Sequence, residues 1–382
     1  MHDLVTRSLD VIKAGQTASG AYVACPDYPT YRYCWFRDGA FIAHAMDLWG
    51  EHASARRFYD WVAETVLKRT EAVERCVDAA SRGERPDPLD LLDTRYTVDG
   101  RRGDDAEWPN FQLDGFGTVL WGLRRHSALT AQPAPPAWDE ATRLLVRYLA
   151  ALWTYPNYDC WEEFPDRIAV STLAALYAGL RAASTMLGPD DDEGRRAAAT
   201  AAAIAERVRR DGVPGGRLIK QLGGTDAVDA SLLWACVPFG EDGLLSPADP
   251  LMRATAARVE ADLVGTTGGV HRYLADTFYG GGEWMLLTTL LGEYHVAIGD
   301  MPGARSRLAY VEAHADTRGY LPEQSGRAPL HPQCVREWED RWGPSACPLL
   351  WSHAAYLSLA AAVNAGLPSR STAAIASRTS AG

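Results

Sequence analysis

Residues 170–187 read VSTLAALYAGLRAASTML, and residues 193–210 read EGRRAAATAAAIAERVRR. The first segment is nearly apolar throughout, whereas the second carries its charge on one face. A helix that is apolar all round suits the interior of a protein, and an amphipathic helix suits an outer layer. The two segments therefore predict a buried helix followed by a helix that covers it.

The same two kinds of helix recur along the whole chain. Helical periodicity predicts an all-α protein with twelve helices, near residues 3–14, 38–48, 51–67, 112–127, 137–153, 170–187, 192–210, 229–237, 247–263, 284–298, 302–314 and 349–364. Six inner and six outer helices in alternation would close into a double-layered ring, the (α/α)6 toroid. The two kinds alternate imperfectly, so an open helical array remains the alternative.

Local signals predict several helix starts and one hairpin. Asp38, Asp229 and the Ser-Thr pair at 171–172 lie before apolar runs, where a side-chain oxygen can cap a helix. Residues 94–100 read TRYTVDG and predict a short hairpin arm that ends in an Asp-Gly turn. The longest irregular segments are expected at 76–110 and 315–348.

Composition narrows the classes of function. The 382 residues carry a net charge of −11, which argues against a nucleic-acid partner and against an anionic membrane surface. Seven scattered cysteines without a CxxC motif indicate reduced thiols, and the first residues lack the apolar core of a signal peptide. We therefore expect a cytoplasmic protein without a membrane partner.

Domain organisation and cofactors follow from similar observations. Residues 1–367 are expected to form one catalytic domain, because they contain no linker-like stretch, and residues 368–382 are expected to form a disordered tail. The histidines form no HxH or HExxH pair, so we expect no metal. The glycine-rich segment at 280–282 lacks the Lys and Ser or Thr of a phosphate loop, and no cofactor is expected.

Two acidic sites, far apart in sequence, suggest sugar chemistry. Residues 159–163 read DCWEE, and residues 321–324 read LPEQ. Hydrolysis of a glycosidic bond needs two carboxyl groups, one to protonate the departing oxygen and one to act on the other face of the sugar. Glu162 follows a Trp ring that would favour its protonated form, which suits a general acid. Glu323 lies on a polar loop, where it would stay ionised and suit a general base.

The other clusters offer groups that bind sugars. Arg37 and Asp38 pair a donor fork with an acceptor, which can grip two neighbouring hydroxyls. Flat aromatic rings pack against sugars, and several lie beside polar clusters rather than in apolar runs. The predicted substrate-binding residues are Tyr31, Trp35, Arg37, Asp38, Trp108, Asp159, Trp161, Glu163, Arg272 and Trp284. The alternatives remain open: Asp38 would only cap a helix, and 159–163 would be a solvated turn.

Taken in order, the motifs resemble those of glycoside hydrolase family 15, the glucoamylase-like enzymes. The motifs are WFRD, NFQLDGFG, DCWEE, DASLLW, RYLADTFYGGGEW and LPEQ, and they extend over nearly the whole chain. The resemblance implies an (α/α)6 toroid and inverting, exo-acting hydrolysis of short α-gluco-oligosaccharides, isomalto- or malto-type, with release of β-glucose. It also implies Glu162 as the general acid and Glu323 as the general base, with Arg37, Asp38 and Arg272 around the terminal glucose.

Three alternatives remain beside this interpretation. A trehalase would share the fold and the chemistry, and a non-catalytic toroid would bind sugar without cleaving it. An unrelated helical toroid such as a terpene cyclase needs Asp-rich metal motifs on a helix. The nearest candidates are 104–105 and 190–193, which read as solvated loops.

Overall fold

The computed structural model describes residues 2–103, 108–224 and 227–365. The predicted tail at 368–382 and the acidic pair at 104–105 lie outside these residues. The α-helices are α1 His2–Gly15, α2 Phe36–Leu48, α3 His52–Leu67, α4 Thr70–Ser81, α5 Asp114–Thr130, α6 Pro136–Leu152, α7 Val170–Leu187, α8 Asp192–Asp211, α9 Pro250–Leu263, α10 Met285–Ala297, α11 Met301–Glu312, α12 Val335–Trp342 and α13 Leu350–Ala365.

Two short antiparallel ribbons complete the regular structure. Strand β1, Cys34–Trp35, pairs with β2, Arg95–Tyr96. Strand β3, Glu283–Trp284, pairs with β4, Gln324–Ser325. Each ribbon ties the start of an inner helix to a distant loop, because β1 leads directly into α2 and β3 leads directly into α10.

The inner helices close into a ring. Helix α2 packs on α5, α5 on α7, α7 on a 3₁₀ helix at Ala230–Ala235, this segment on α10, α10 on α13, and α13 back on α2. Helices α1, α3, α6, α8, α9 and α11 pack around the outside, so outer and inner segments alternate strictly along the chain. The predicted all-α (α/α)6 toroid is confirmed.

The α7–α8 pair shows why the sequence gives two layers. Most of α7 is buried, whereas α8 buries only a stripe that includes Ala197, Ala201, Ile204 and Val208. These residues recur every three or four positions, so they form one face of a helix. That face covers α7, and the charged face of α8 remains outside.

Close packing of the inner ring depends on two glycines. A side chain at Gly117 of α5 would collide with the backbone of Ala175 in α7, and one at Gly179 of α7 would collide with the backbone of Gly117. Because neither residue has a Cβ, the two helices approach until their backbones touch.

Several local predictions differ from the structure. The segment predicted as a helix at 229–237 is a 3₁₀ helix, although Asp229 caps it as expected by accepting from the backbone N–H of Ser231. Helix α2 begins two residues before Asp38, and α7 follows Ala169 rather than a capping hydroxyl. Neither of these predicted caps is present, since each polar side chain lies inside its helix.

The segments predicted to be irregular contain two helices. Helix α4 buries Ala72, Val73 and Cys76 and packs on α6, so it is a short amphipathic helix within the insert. Helix α12 lies in the segment 315–348 and has no buried residue. The predicted hairpin is confirmed: β2 is followed by a turn in which the N–H of Gly100 donates to the carbonyl oxygen of Thr97 at 2.8 Å.

Among the described residues, no helix is long and apolar enough to cross a membrane. The expected cytoplasmic location stays a prediction.

Candidate active site

A cavity of about 280 Å³ opens at the end of the toroid where the inner helices begin. This volume is just below the roughly 300–1,000 Å³ typical of ligand pockets. The predicted site residues that line the cavity are Tyr31, Trp35, Arg37, Asp38, Trp108, Trp161, Glu162, Glu163, Arg272, Trp284 and Glu323. Residues from loops almost 300 positions apart in sequence therefore meet around one cavity.

Glu162 lies at the centre of a tight turn before α7. Its backbone has φ 66°, in the left-handed region that residues with a side chain seldom adopt. Oε1 of Glu162 accepts a 2.7 Å hydrogen bond from the indole Nε1 of Trp35, which ends β1. The turn directs the carboxyl into the cavity, and the indole fixes its orientation there.

Glu323 immediately precedes β4 and faces the same cavity. Its backbone N–H donates to the carbonyl oxygen of Ala346 at 2.9 Å, and Oε1 accepts from the Tyr31 hydroxyl at 3.3 Å. Within the described residues, Oε2 is buried without a hydrogen-bond partner. Burial raises the pKa of Glu323 to about 8, although Arg272 opposes the shift.

The expectation that Glu323 lies free of apolar surroundings on a polar loop is wrong, because its side chain is buried. The polar neighbour in the LPEQ motif, Gln324, is itself buried in the β3–β4 ribbon. A polar residue next to Glu323 in sequence therefore does not mean that Glu323 is exposed.

Arg37 and Asp38 lie in the first turn of α2 and are both buried. Arg37 donates to Oε1 of Gln112 at 2.8 Å and to Oδ2 of Asp114 at 3.2 Å. Burial raises the pKa of Asp38 to about 7, and Arg37 acts against this rise. The cluster around Asp114 thus orients Arg37, and the pair presents a cation and an acceptor to the cavity.

Arg272 is held by both charge and rings. It donates through Nε to Oδ2 of Asp276 at 2.7 Å and through an NH₂ group to Oε1 of Glu163 at 3.4 Å. Its guanidinium lies 5.2 Å from the ring centroids of both Trp161 and Trp284. The side chain is immobilised on several sides, which suits a group that binds a hydroxyl in one position.

Asp159 was predicted to contact the sugar, but it is the one predicted site residue that is not among the described residues lining the cavity. Its side chain is buried behind them. Oδ1 accepts the backbone N–H groups of Trp161 and Glu163, at 3.0 and 3.1 Å. Asp159 shapes the turn that carries Glu162.

Comparison with known proteins identifies the family of this chain. The family model described as glycosyl hydrolases family 15 matches residues 2–301. The chain belongs to glycosyl hydrolase family 15. This family 15 chain is therefore a glycoside hydrolase, as the motifs predicted.

Several relatives of the family 15 chain are close in sequence or in fold. An isomaltose glucohydrolase from Kribbella flavida is 43% identical over 362 residues, which cover 94% of this chain and 92% of that protein. A wild-type glycosidase structure is 42% identical, with a TM-score of 0.91 over 96% of this chain and 97% of the other. A bacterial glucoamylase complexed with acarbose shares the fold at 21% identity and a TM-score of 0.71, over 95% of this chain and 55% of that one.

Sequence reasoning missed the outer rim of the family 15 site. Trp338, Arg341 and Trp342 of α12 line the mouth of the cavity, and Phe278 packs edge-on against Trp338 at 4.9 Å between ring centroids. The signal was present in VREWEDRW at 335–342, where two Trp residues four positions apart share one helical face. Trp351, at the start of α13, lines the interior.

Two tryptophan pairs form the walls below this rim. The rings of Trp35 and Trp108 meet at 5.8 Å, and those of Trp161 and Trp284 meet at 5.4 Å. Arg95, fully buried, lies 3.7 Å from the Trp108 ring centroid and fixes that wall from behind. Rigid aromatic rings on two sides suit the C–H groups of a neutral sugar ring such as a pyranose.

In the part of the chain that the structure describes, no three His, Cys, Asp or Glu side chains are grouped to hold a metal ion. The expected absence of a metal or cofactor stays a prediction. The acidic run at 190–193 belongs to the start of α8, where Asp191 caps the helix by accepting from the backbone N–H groups of Glu193 and Gly194. A helix cap accounts for this run, without a metal.

Proposed function

We propose that this chain is an exo-acting, anomer-inverting α-glucosidase that releases β-D-glucose from the non-reducing end of short α-gluco-oligosaccharides. The observation that carries the proposal is that Glu162 and Glu323, from loops 161 positions apart, line one small cavity. Arg37, Asp38 and Arg272 line the same cavity. A terminal glucose would find two carboxyl groups beside its anomeric carbon and fixed partners for its hydroxyls.

In the proposed mechanism, Glu162 donates a proton to the glycosidic oxygen as the bond to the anomeric carbon breaks. A water molecule attacks the opposite face of that carbon and gives its proton to Glu323. Inverting enzymes separate their two carboxyl groups by roughly 6.5–9.5 Å to leave room for this water. Glu323 must be ionised to accept the proton, so the reaction uses the deprotonated fraction of this buried group.

Isomaltose is the substrate we favour. The isomaltose glucohydrolase that is 43% identical supports this choice over maltose and trehalose. The cavity is small, about 280 Å³, and α12 supplies part of its lining, which favours short substrates over polymeric chains. A glycosidase variant solved in complex with glucose, 42% identical to this chain, supports a glucose unit as the bound sugar.

The decisive experiment follows the first product by NMR. The purified protein is incubated with isomaltose, maltose, kojibiose and trehalose, and the anomer of the released glucose is recorded before mutarotation. We expect β-glucose from isomaltose, and at least ~10²-fold lower turnover in Glu162→Gln and Glu323→Gln. Initial release of α-glucose would contradict inversion, and faster cleavage of trehalose would favour the trehalase alternative. Binding of isomaltose without any glucose release would favour a non-catalytic toroid.

A further inference from the structure

Lys220 is a buried cation directly behind the turn that carries Glu162. It is 8% exposed, and its Nζ lies 2.6 Å from Oδ2 of Asp229 and 3.5 Å from Oδ2 of Asp159. The same ammonium group lies 3.6 Å from the centroid of the Tyr273 ring. Lys220 is not among the described residues that line the cavity, so it would not contact a sugar bound there.

Asp159 and Asp229 both contact Lys220, and each holds a different part of the turn that carries Glu162. Asp159 accepts the backbone N–H groups of Trp161 and Glu163 on its other oxygen, at 3.0 and 3.1 Å. Asp229 accepts from the indole Nε1 of Trp161 at 2.9 Å. The positive charge of Lys220 therefore links the backbone of the turn, held by Asp159, to the side chain of Trp161, held by Asp229.

The turn needs such support because its backbone is strained. Glu162 and Phe164 both have left-handed φ angles, 66° and 54°. Residues with a side chain keep such angles only where their surroundings hold them. The turn also closes on itself through the N–H of Glu162, which donates to the carbonyl oxygen of Asp159 at 2.9 Å.

Charge explains why a lysine is needed at this position. Two carboxylates buried side by side repel each other, and each loses its hydration. Burial raises the pKa of Asp159 to about 6, and Lys220 opposes this shift. Without the ammonium group, one aspartate would take up a proton or turn away, and its grip on the turn would weaken.

We propose that Lys220 is a positioning residue for the acid step, and that it acts through Asp159 and Asp229 to hold the Glu162 carboxyl against the glycosidic oxygen. This inference rests on the proposed role of Glu162 as the general acid. Lys220 itself does not bind glucose in this proposal, because its ammonium group contacts Asp159 and Asp229 and does not line the cavity.

The test compares two substrates that differ in their need for an acid. When isomaltose is cleaved, the second glucose departs through its 6-hydroxyl oxygen, which needs a proton from an acid. In α-glucosyl fluoride, fluoride departs with the bonding electron pair and needs no proton. For Lys220→Met we expect kcat on isomaltose to fall by at least ~10²-fold, as misplacement of a reacting group does. The rate on α-glucosyl fluoride should fall roughly tenfold or less, since proton donation contributes little there.

Three controls accompany Lys220→Met. Glu162→Gln should show the same substrate selectivity, and Lys220→Arg, which keeps the charge, should recover part of the isomaltose rate. Lys68→Met removes an exposed lysine that pairs with Glu64 on α3, and it should leave both rates unchanged. The inhibition constant for glucose should change much less in Lys220→Met than kcat on isomaltose does.

Equal losses on both substrates, or an unchanged isomaltose rate in folded Lys220→Met, would overturn the proposal. If Lys220→Met does not fold by circular dichroism, the double variant Lys220→Gln with Asp159→Asn removes one charge of each sign. The same selective loss is expected there, and an unselective loss would count against Lys220.

If the wild type cleaves no disaccharide, the proposed function fails. If Glu162→Gln is selective and the Lys220 variants are not, only the positioning role fails.

Discussion

The indole Nε1 of Trp35 donates a 2.7 Å hydrogen bond to Oε1 of Glu162 and so joins the start of α2 to the turn before α7. The Trp35 ring also meets Tyr31 edge-on at 5.6 Å between centroids, and Tyr31 donates to Glu323. An unbroken set of contacts thus connects the two carboxyl groups through aromatic side chains. Strand β1 and the loop before it therefore contact both the proposed acid and the proposed base.

Replacing Trp35 with Phe keeps an aromatic ring but removes the donor to Glu162. As Glu162 gives up its proton its carboxyl becomes charged, and a hydrogen bond to a charged group is worth roughly 1.5–3 kcal/mol. We therefore expect kcat on isomaltose to fall at least about tenfold. Trp49→Phe is the matched control, because the Trp49 indole donates to the carbonyl oxygen of Leu357 at 3.0 Å, away from the cavity. Similar kinetics for the two variants would show that the Trp35 bond does not orient Glu162.

The buried position of Glu323 predicts the pH dependence of the reaction. A general base acts when deprotonated, and burial raises the pKa of Glu323 to about 8. While Glu162 stays protonated, we therefore expect kcat/KM of the free enzyme to rise with pH up to about 8, above the range of an exposed glutamate. Loss of the Glu162 proton sets the opposite limb of the profile. A profile already flat from pH 5 to 8 would contradict the assignment of Glu323 as base.

Burial of Glu323 also predicts a conflict between stability and function, because the folded protein favours the neutral carboxyl whereas the reaction needs the ionised one. Its pKa is raised in the folded protein, so the unfolded state loses the proton first as pH rises from about 4.5 to about 8. The stability contributed by neutral Glu323 is thus complete at low pH and lost through this window. Relative to the wild type, Glu323→Gln should gain stability in thermal melts as pH rises through the window, with no further gain above it. An equal difference in melting temperature at pH 4 and pH 9 would be inconsistent with this burial.

Tyr31→Phe removes the hydroxyl that donates to Glu323. This hydrogen bond stabilises the ionised carboxylate and lowers the pKa of Glu323 against the larger effect of burial. Its loss should move the acid limb of the kcat/KM profile to higher pH while the protein stays folded. Tyr59→Phe, in the core and away from the cavity, is the control, and it should leave the profile in place.

The sequence allowed the fold and most of the site to be predicted because the signals were local. Helix type could be read from the pattern of charge, as in α7 and α8, and Asp229 lies directly before the segment that it caps. Glu162, Trp161 and Glu163 belong to one motif, so they were found together. These predictions depend only on residues that are neighbours along the chain.

The predictions that failed depend on contacts between distant segments. Glu323 has polar neighbours in sequence, but Tyr31, from a loop 292 positions away, helps to enclose it. Asp159 lies beside two other acids in sequence, yet its partner is Lys220, 61 positions further on. Charge and burial at such sites are decided by the closed ring, which brings all these loops to one end.

The rim formed by α12 offers a further prediction. Trp338 packs against Phe278 and lines the mouth of the cavity, beyond the two carboxyl groups. Trp338→Ala should raise KM for isomaltose, because it removes an apolar face that the second glucose unit would cover, worth on the order of 1 kcal/mol of affinity. The inhibition constant for free glucose should stay near the wild-type value, because glucose occupies only the inner part. If both constants change equally, Trp338 acts on the whole site rather than on the second sugar.

The contact between α5 and α7 predicts a large effect far from the chemistry. A methyl group at Gly179 would collide with the backbone of Gly117, and backbone cannot move aside as a flexible side chain can. Overpacking of this kind costs typically 1–3 kcal/mol, so Gly179→Ala should lower the free energy of unfolding by about that amount in urea titrations. Gly326→Ala is the matched control, because nothing lies within 4 Å of a Cβ built there. Equal stability of the two variants would mean that the inner ring can widen between these helices, and the close approach would then not be required for the toroid to close.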